Sequence, residues 1–264
     1  MNLSNPELNI LWLWPDILNL HGDRANVMAL LRVSALYGID AKVTRVKRLT
    51  DSFDPAGADV ILLGSGELAV MPDITGALSK HFSSLKEYTE NGGVLFAAGT
   101  TGAALGVHTR RLDGSHIYGI GLLDMECSER KTVIGDDVIF RTDSLDTGTD
   151  TPVYGIQIQM IDIQLNSGQA PLGNISYGYG NNGTGSEGAV SDGVIFTNAS
   201  GPVLVKNPWL TLALLKKAIL RKNPDMDPDD LSFDQEKFII ELASAKAIQA
   251  FNDKKARRKK ERLR

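Results

Sequence analysis

The sequence predicts an α/β fold built around a mainly parallel β-sheet, with further helices at the C-terminal end. In the first hundred residues, short apolar runs alternate with segments that carry apolar residues at helical spacing, which is typical of βαβ units. Two of these runs, Val60–Leu63 and Val94–Ala98, contain no polar residue. Uninterrupted apolar runs of this length are expected of strands buried on both faces of a parallel sheet.

The predicted elements follow in a simple order. Strands are predicted at residues 8–14, 40–45, Val60–Leu63 and Val94–Ala98, and helices at residues 24–37 and 74–91. Short β-like segments, separated by Gly, Asn and Asp turns, are predicted at residues 117–125, 132–140, 153–164, 172–177 and 193–198. Asp23, Asn207 and Ser232 are the predicted N-caps of three helices, the second with Pro208 at its first position and the third with Gln235 completing a capping box.

Two further patterns bear on organisation. The alternation within residues 153–164 predicts a strand with one wet face, with Gln157 and Gln159 opposite Ile156 and Ile158. The Gly- and Asn-rich residues 177–187 are expected to form a surface loop, with a mobile lid as the alternative. We expect residues 1–222 to form the main domain, and residues 223–264 to form an acidic linker, a last helix and a basic tail.

Composition excludes several classes of protein. A formal net charge of −4 gives no electrostatic reason to expect nucleic-acid binding. No apolar run approaches the roughly 20 residues that a membrane-spanning helix needs, so cytoplasm is the expected compartment. Cys127 is the one cysteine, and the four histidines show no ligand spacing, so neither a metal nor another cofactor is predicted. For residues 254–264 we expect a solvated end, with attraction to an anionic membrane or partner surface as the alternative.

Two glycine turns follow the two most apolar strands. Gly64-Ser65-Gly66 follows the first, and Gly99 begins the turn after the second. In parallel sheets such turns meet at the carboxyl edge, where backbone N–H groups can hold an anion or a developing oxyanion. The alternative is that these glycines only close turns between buried strands.

Several stretches resemble the class I glutamine amidotransferases of the cobyric-acid-synthase type, and within them the GatD-type glutaminase subunits of lipid II isoglutaminyl synthase. They occur in the family's order and cover most of residues 8–220: LNLHGDRANVMAL from Leu18, ILLGSGE from Ile61, GIGLLD from Gly119, YGYGNN from Tyr177 and SGPVLVKNPWLTLALL from Ser200. The resemblance implies a three-layer α/β glutaminase. In such enzymes an elbow Cys attacks the glutamine amide, a His acts as base, and ammonia passes to a Mur-ligase-like synthetase, the MurT-type partner that amidates D-glutamate in the peptidoglycan precursor.

The chain departs from the family at three chemical positions. Ala98 stands where the elbow Cys is expected, and Ser200 replaces the His of the H-G-P stretch. Thr132 stands where the family has an Arg of the substrate pocket. The oxyanion turn is kept as Gly64-Ser65-Gly66, so the resemblance assigns substrate binding to that turn, Gly99 and Thr132.

These losses predict a chain without ordinary glutaminase activity, because alanine has no nucleophile and a serine hydroxyl accepts no proton near neutral pH. Restoring Cys at Ala98 and His at Ser200 together is expected to recover some hydrolysis, and either change alone little. The remaining candidate nucleophiles are Thr100, Thr101, Ser65 and Cys127; a threonine here would need a base.

Three functions remain open from the sequence. The first is a catalytically degenerate subunit that acts as scaffold or regulator, with an apolar docking face within residues 238–248. The second is a hydrolase or amidase that uses Thr100, Thr101 or Ser65, which requires a His or carboxylate within about 3 Å of the hydroxyl. The third is a small-molecule binding module, with glutamine as one candidate ligand.

Overall fold

The computed structural model describes residues 6–262, with side chains to Arg257. The strands are β1 (Glu7–Leu13), β2 (Asp40–Val46), β3 (Val60–Leu63), β4 (Val94–Ala98), β5 (His108–Arg110), β6 (His116–Tyr118), β7 (Met125–Arg141), β8 (Val153–Leu165), β9 (Gly173–Tyr177), β10 (Ser186–Glu187), β11 (Ala189–Ser191), β12 (Val194–Thr197) and β13 (Ala199–Ser200). The helices are α1 (Arg24–Leu36), α2 (Met71–Ser79), α3 (Phe82–Glu90), α4 (Gly102–Leu105), α5 (Val203–Lys206), α6 (Pro208–Lys222) and α7 (Ile239–Arg262). Within residues 6–262, no helix is long and apolar enough to cross a membrane.

A six-stranded sheet forms the centre of the molecule, in the order β11-β12-β4-β3-β1-β2. All neighbours are parallel except β11 and β12. Alternate residues of each strand face two hydrophobic cores, one shared with α1 and α6 and the other with α2 and α3. Because a parallel sheet must bury both faces, the chain covers it with a helical layer on each side. This arrangement confirms the predicted three-layer α/β fold.

A second, mostly antiparallel sheet follows the first four strands of the central one. Its strands run in the order β10-β9-β7-β5-β6, and β8 pairs with both β7 and β13. β7 and β8 form a long ribbon whose register shifts between Glu129 and Ile134. Through β13, this ribbon lies beside the end of β12, which is how the second sheet reaches the carboxyl edge of the first.

The β8 alternation is present, and the glutamine face is the buried one. Gln157 and Gln159 are buried, whereas Ile156 and Ile158 are 36% and 39% exposed. The glutamine amides bond to the 179–181 backbone: Gln157 to the carbonyl of Gly180 at 2.6 Å, and Gln159 to that of Asn181 at 2.9 Å. Because each buried amide finds partners, burial is tolerated. Residues 178–182 are therefore held down by buried hydrogen bonds rather than forming a free lid.

Four helix predictions need correction. Asp23 precedes α1 but does not cap it with its side chain, which accepts from the Ser65 N–H instead. The predicted helix at 74–91 is two helices, α2 and α3, interrupted at Lys80 and His81. Asn207 does not cap α6 with its side chain, which instead bonds to the backbone of Tyr154 and to the carbonyl of Val203. The capping box at Ser232 is also absent: Asp234 caps the short turn that leads into α7.

The C-terminal segment packs on the body. Leu231, Phe238 and Ala245 are buried in the core shared with α1 and α6. The docking face predicted within residues 238–248 therefore points inward at Phe238, while the outward side of α7 carries Ile240 and Phe251. Leu263 and Arg264 of the predicted basic tail lie outside the described residues.

Candidate functional site

The two glycine turns meet at the carboxyl edge of the central sheet. Leu63 of β3 pairs with Ala97 of β4 in parallel, so the residues after each strand emerge side by side. Ser65 and Thr100 hydroxyl oxygens lie 3.2 Å apart. The Thr101 hydroxyl donates to the carbonyl oxygen of Gly64, which closes the contact between the turns.

Gly99 is the residue of the elbow that has left-handed backbone geometry, with φ of +66°. A β-carbon there would lie 2.5 Å from the Ser65 hydroxyl oxygen, 2.9 Å from the Ser65 β-carbon and 3.7 Å from the Ser200 hydroxyl oxygen. A side chain at position 99 would therefore point between the oxyanion turn and Ser200. A strained residue at a strand-to-helix turn is the position at which nucleophile elbows display their reactive side chain.

Ala98 has ordinary extended geometry, with φ of −135° and ψ of +146°. Its side chain is 1% exposed and belongs to the core shared with α1 and α6. The residue that the sequence comparison aligned with the family's Cys thus faces the interior of the fold. The residue whose side chain would face Ser200 is Gly99, one position later.

Three backbone donors of the site are occupied by the protein's own oxygens. The N–H of Ser65 donates to the Asp23 carboxylate at 3.1 Å, and the N–H of Gly66 donates to the Thr100 hydroxyl at 3.2 Å. The N–H of Thr100 donates to the Ser65 hydroxyl at 3.4 Å. An oxyanion hole needs free N–H groups aimed at the reacting oxygen, and here each donor already has an acceptor.

No general base accompanies the hydroxyl groups in the described part of the chain. Ser65 and Thr100 bond to each other and to backbone groups, and the Thr101 and Ser200 hydroxyls donate to backbone carbonyls. Neither a histidine nor a carboxylate hydrogen-bonds to any of the four in residues 6–257. These contacts do not meet the geometric requirement for a Thr- or Ser-dependent hydrolase.

Two other sequence candidates lie away from the elbow. Thr132 is exposed on the β7–β8 ribbon, next to its register shift, and its carbonyl accepts from the Arg130 guanidinium. Cys127 is buried in β7, and burial raises the pKa of its thiol to about 12. A buried thiol with a raised pKa is a poor nucleophile, so its environment is that of a packing residue.

A buried polar network that the sequence did not predict holds the segment leading to Ser200. The Glu187 carboxylate is fully buried and accepts from the Thr197 hydroxyl and the Asn198 N–H, both at 2.7 Å. The Asn198 amide also donates to Glu187 at 3.1 Å and to Asn181 at 2.8 Å. In the sequence, the signal of this network was the Asn-rich segment 177–187. An asparagine amide that is buried can bond to backbone groups instead of to solvent.

Comparison with known proteins identifies sequence relatives and structural neighbours. No family model matches the chain. The chain is 28% identical over 264 residues to the "Lipid II isoglutaminyl synthase (glutamine-hydrolyzing) subunit GatD" of Staphylococcus aureus, covering 97% of this chain and 99% of that protein. It is 29% identical over 219 residues to the protein of the same name from Streptococcus pneumoniae, covering 82% of each.

Two solved structures share the fold. One is a glutamine amidotransferase, with a TM-score of 0.51 and 15% identity, covering 79% of this chain and 98% of that one. The other is PurLQS from Thermotoga maritima, with a TM-score of 0.53 and 13% identity, covering 83% and 99%. The chain therefore has the fold of the class I glutamine amidotransferases, and its sequence is similar to those of two GatD subunits.

Asp23 gives the site a pH dependence. Burial raises the pKa of this carboxyl group to about 6, above its ordinary value of 3.8. The stabilisation associated with the protonated form is complete below pH 3.8 and is lost as pH rises through 6. Asp23→Asn cannot titrate, so we expect the stability difference between variant and wild type to shift by about 2 kcal/mol in the variant's favour between pH 4 and 7.5.

Urea unfolding of both proteins at the two pH values measures this shift, and any pH-independent effect of the substitution cancels in the comparison. Asp16→Asn, at an exposed site, is the matched control and should show no shift. A stability difference between Asp23→Asn and wild type that stays constant across this range would contradict the assignment.

Proposed function

We propose that the chain is a GatD-like subunit of a lipid II isoglutaminyl synthase-type complex that has lost glutamine hydrolysis and acts as a scaffold or regulator of a Mur-ligase-like synthetase. Both GatD relatives are named as glutamine-hydrolyzing. The observation that carries the proposal is the elbow: the one backbone position that would display a nucleophile is Gly99, and its side-chain space is taken by Ser65.

The occupied donors support the same proposal. Binding a tetrahedral oxyanion would require breaking the contacts of Ser65, Gly66 and Thr100 before any stabilisation is gained. A replaced nucleophile, a replaced base and a filled oxyanion hole act on the same chemical step. Loss of catalytic groups that work as a unit typically lowers the rate by about 10⁴- to 10⁶-fold.

An apolar rim beside the crevice supports a role in binding a partner subunit. Ile156 pairs with Ser200 across β8 and β13, and Ile158 follows it on the same exposed face. On the other side, Leu20 is 50% exposed and its N–H bonds to the carbonyl of Ser65. Exposed apolar side chains that surround a polar crevice are typical of interaction surfaces.

The proposal is tested by measuring ammonia and glutamate release from glutamine, with the purified chain alone and with a co-expressed Mur-ligase-like synthetase. We expect no release above the buffer blank in either sample and recovery of a stable complex. The positive control is a glutamine-hydrolyzing GatD subunit with its own synthetase. Turnover by this chain in either sample would refute the loss of activity, and failure to recover a complex would refute the scaffold role.

A further inference from the structure

The outward side of α7 carries an apolar stripe that the body of the protein does not cover. Ile240 is 78% exposed and Phe251 is 63% exposed, and both lie on the same line of the helix because they are eleven residues apart. Ala243 and Ala247 are exposed between them on that line, and Lys254 is exposed three residues after Phe251. We call these five residues the outer stripe.

The inner side of α7 is anchored independently of the outer stripe. Ala245 is buried in the main core, and Leu242 and Ile248 pack against it. Glu241 pairs with Arg32 at 3.4 Å, and Lys255 pairs with Asp136 at 2.7 Å. The helix is therefore apolar on two opposite sides, and only the inner one has a partner within the described chain.

The charge of the chain is strongly divided at the end of this helix. Residues 254–264 contain eight Lys and Arg and one Glu, a formal charge of +7, so residues 1–253 carry −11 of the total of −4. Lys254 and Arg257 are exposed. A surface of uniform negative charge attracts the basic end and repels the body, which orients the molecule with the end of α7 toward that surface.

We propose that the outer stripe and the basic end of α7 bind the chain to the surface of an anionic lipid bilayer. An apolar helix face next to a cluster of Lys and Arg is the pattern of helices that lie in the interface of anionic membranes. A groove on a partner protein requires apolar anchors at every third or fourth position, whereas here the two large side chains are separated by alanines. The contiguous basic cluster fits a uniformly charged surface better than discrete ion pairs.

The test is co-sedimentation of the full chain with vesicles, and it does not depend on glutamine chemistry. We expect binding to vesicles of equal phosphatidylglycerol and phosphatidylcholine at about 50 mM salt, at least about tenfold weaker binding at about 500 mM, and none to pure phosphatidylcholine. Ile240→Ser/Phe251→Ser should weaken binding about tenfold. The matched control is Ile239→Ser/Val133→Ser, since both residues are more than half exposed and lie off the outer stripe.

The charge contribution is tested by Lys254→Glu/Arg257→Glu, which should abolish binding at about 150 mM salt. Its control, Lys80→Glu/Lys131→Glu, makes the same change in net charge at exposed sites elsewhere and should retain binding. No binding to anionic vesicles at low salt, or equal loss in variants and controls, would overturn the proposal. Salt-sensitive self-association in place of sedimentation would also overturn it, because the basic end would then bind the acidic body of a second copy.

Discussion

Ser65→Gly/Gly99→Cys/Ser200→His is expected to acquire a reactive thiol and to hydrolyse glutamine, whereas Ala98→Cys/Ser200→His, for which the sequence alone predicted some hydrolysis, is expected to do neither. The reason is the direction of the side chain at each position. A β-carbon at Gly99 points between Ser65 and Ser200, while the Ala98 side chain points into the core. A thiol at position 99 therefore lies beside an imidazole at position 200, which can take its proton.

Ser65→Gly is needed for two reasons. The Ser65 side chain would approach a β-carbon at position 99 to 2.5 Å, too close for any side chain to be accepted without rearrangement. Removing its hydroxyl also frees the Thr100 N–H, which then becomes available as an oxyanion donor. Gly99→Cys alone should destabilise the fold, because it adds both the clash and a left-handed residue other than glycine.

Ammonia release and alkylation by iodoacetamide measure the two expected gains. We expect hydrolysis in the triple variant about 10²-fold or more above that of Ser65→Gly/Gly99→Cys, since a general base typically contributes at least that factor. Cys127 is buried and its pKa is raised to about 12, so alkylation of the folded variants reports on the introduced thiol. Stronger hydrolysis in the Ala98 variant than in the Gly99 variant would show that the elbow position is misassigned.

Much of the fold was predictable because segments buried inside the protein consist mainly of apolar residues. β3 and β4 were predicted to the residue, since a strand buried on both faces must be apolar throughout. For β8, two distinct faces were predicted, but not which of them is buried. Alternation alone specifies two faces of a strand but not which is buried, and the buried face of Gln157 and Gln159 depends on hydrogen bonds to residues about twenty positions away.

The candidate site was predictable as a place but not in its details. The two glycine turns were expected at one edge of the sheet, and their contact follows from the pairing of β3 with β4. Which elbow residue displays a side chain could not be read from the sequence, because Ala98 and Gly99 are both small and only the backbone angles separate them. The hydrogen bond from the Ser65 N–H to the Asp23 carboxylate joins residues 42 positions apart, so no local sequence pattern predicts it.

The second large effect is expected in stability, at Glu187. This carboxylate is fully buried and accepts three hydrogen bonds, from the Thr197 hydroxyl and from both the backbone N–H and the side-chain amide of Asn198. Glu187→Ala leaves those donors buried without an acceptor and opens a cavity. We expect a loss of about 4 kcal/mol in the free energy of unfolding, measured by urea denaturation.

Glu187→Gln keeps nearly the same side-chain volume, so its effect on stability comes from the changed hydrogen bonds and not from a cavity. Its amide oxygen can still accept from Thr197 and the Asn198 N–H, but its NH₂ group faces the Asn198 amide, so we expect about half the loss. Glu126→Ala, at an exposed carboxylate, should change stability by less than about 0.5 kcal/mol. A loss below 1 kcal/mol in both Glu187 variants would mean that the network is dispensable.

Under the proposed function, this expected cost gives a physical reason for a chain to keep the frame of a glutaminase without its chemistry. The Glu187 network ties β10 and the 181 loop to the end of β12, beside the elbow, and its contacts are made within the fold rather than to a substrate. Substituting Ser200 removes a hydrogen bond to the Asn198 carbonyl but none of the bonds to Glu187, whereas substituting Glu187 removes a support of the fold. The residues that shape the crevice are therefore needed for the stability of the fold, whereas the groups that would react within it are not.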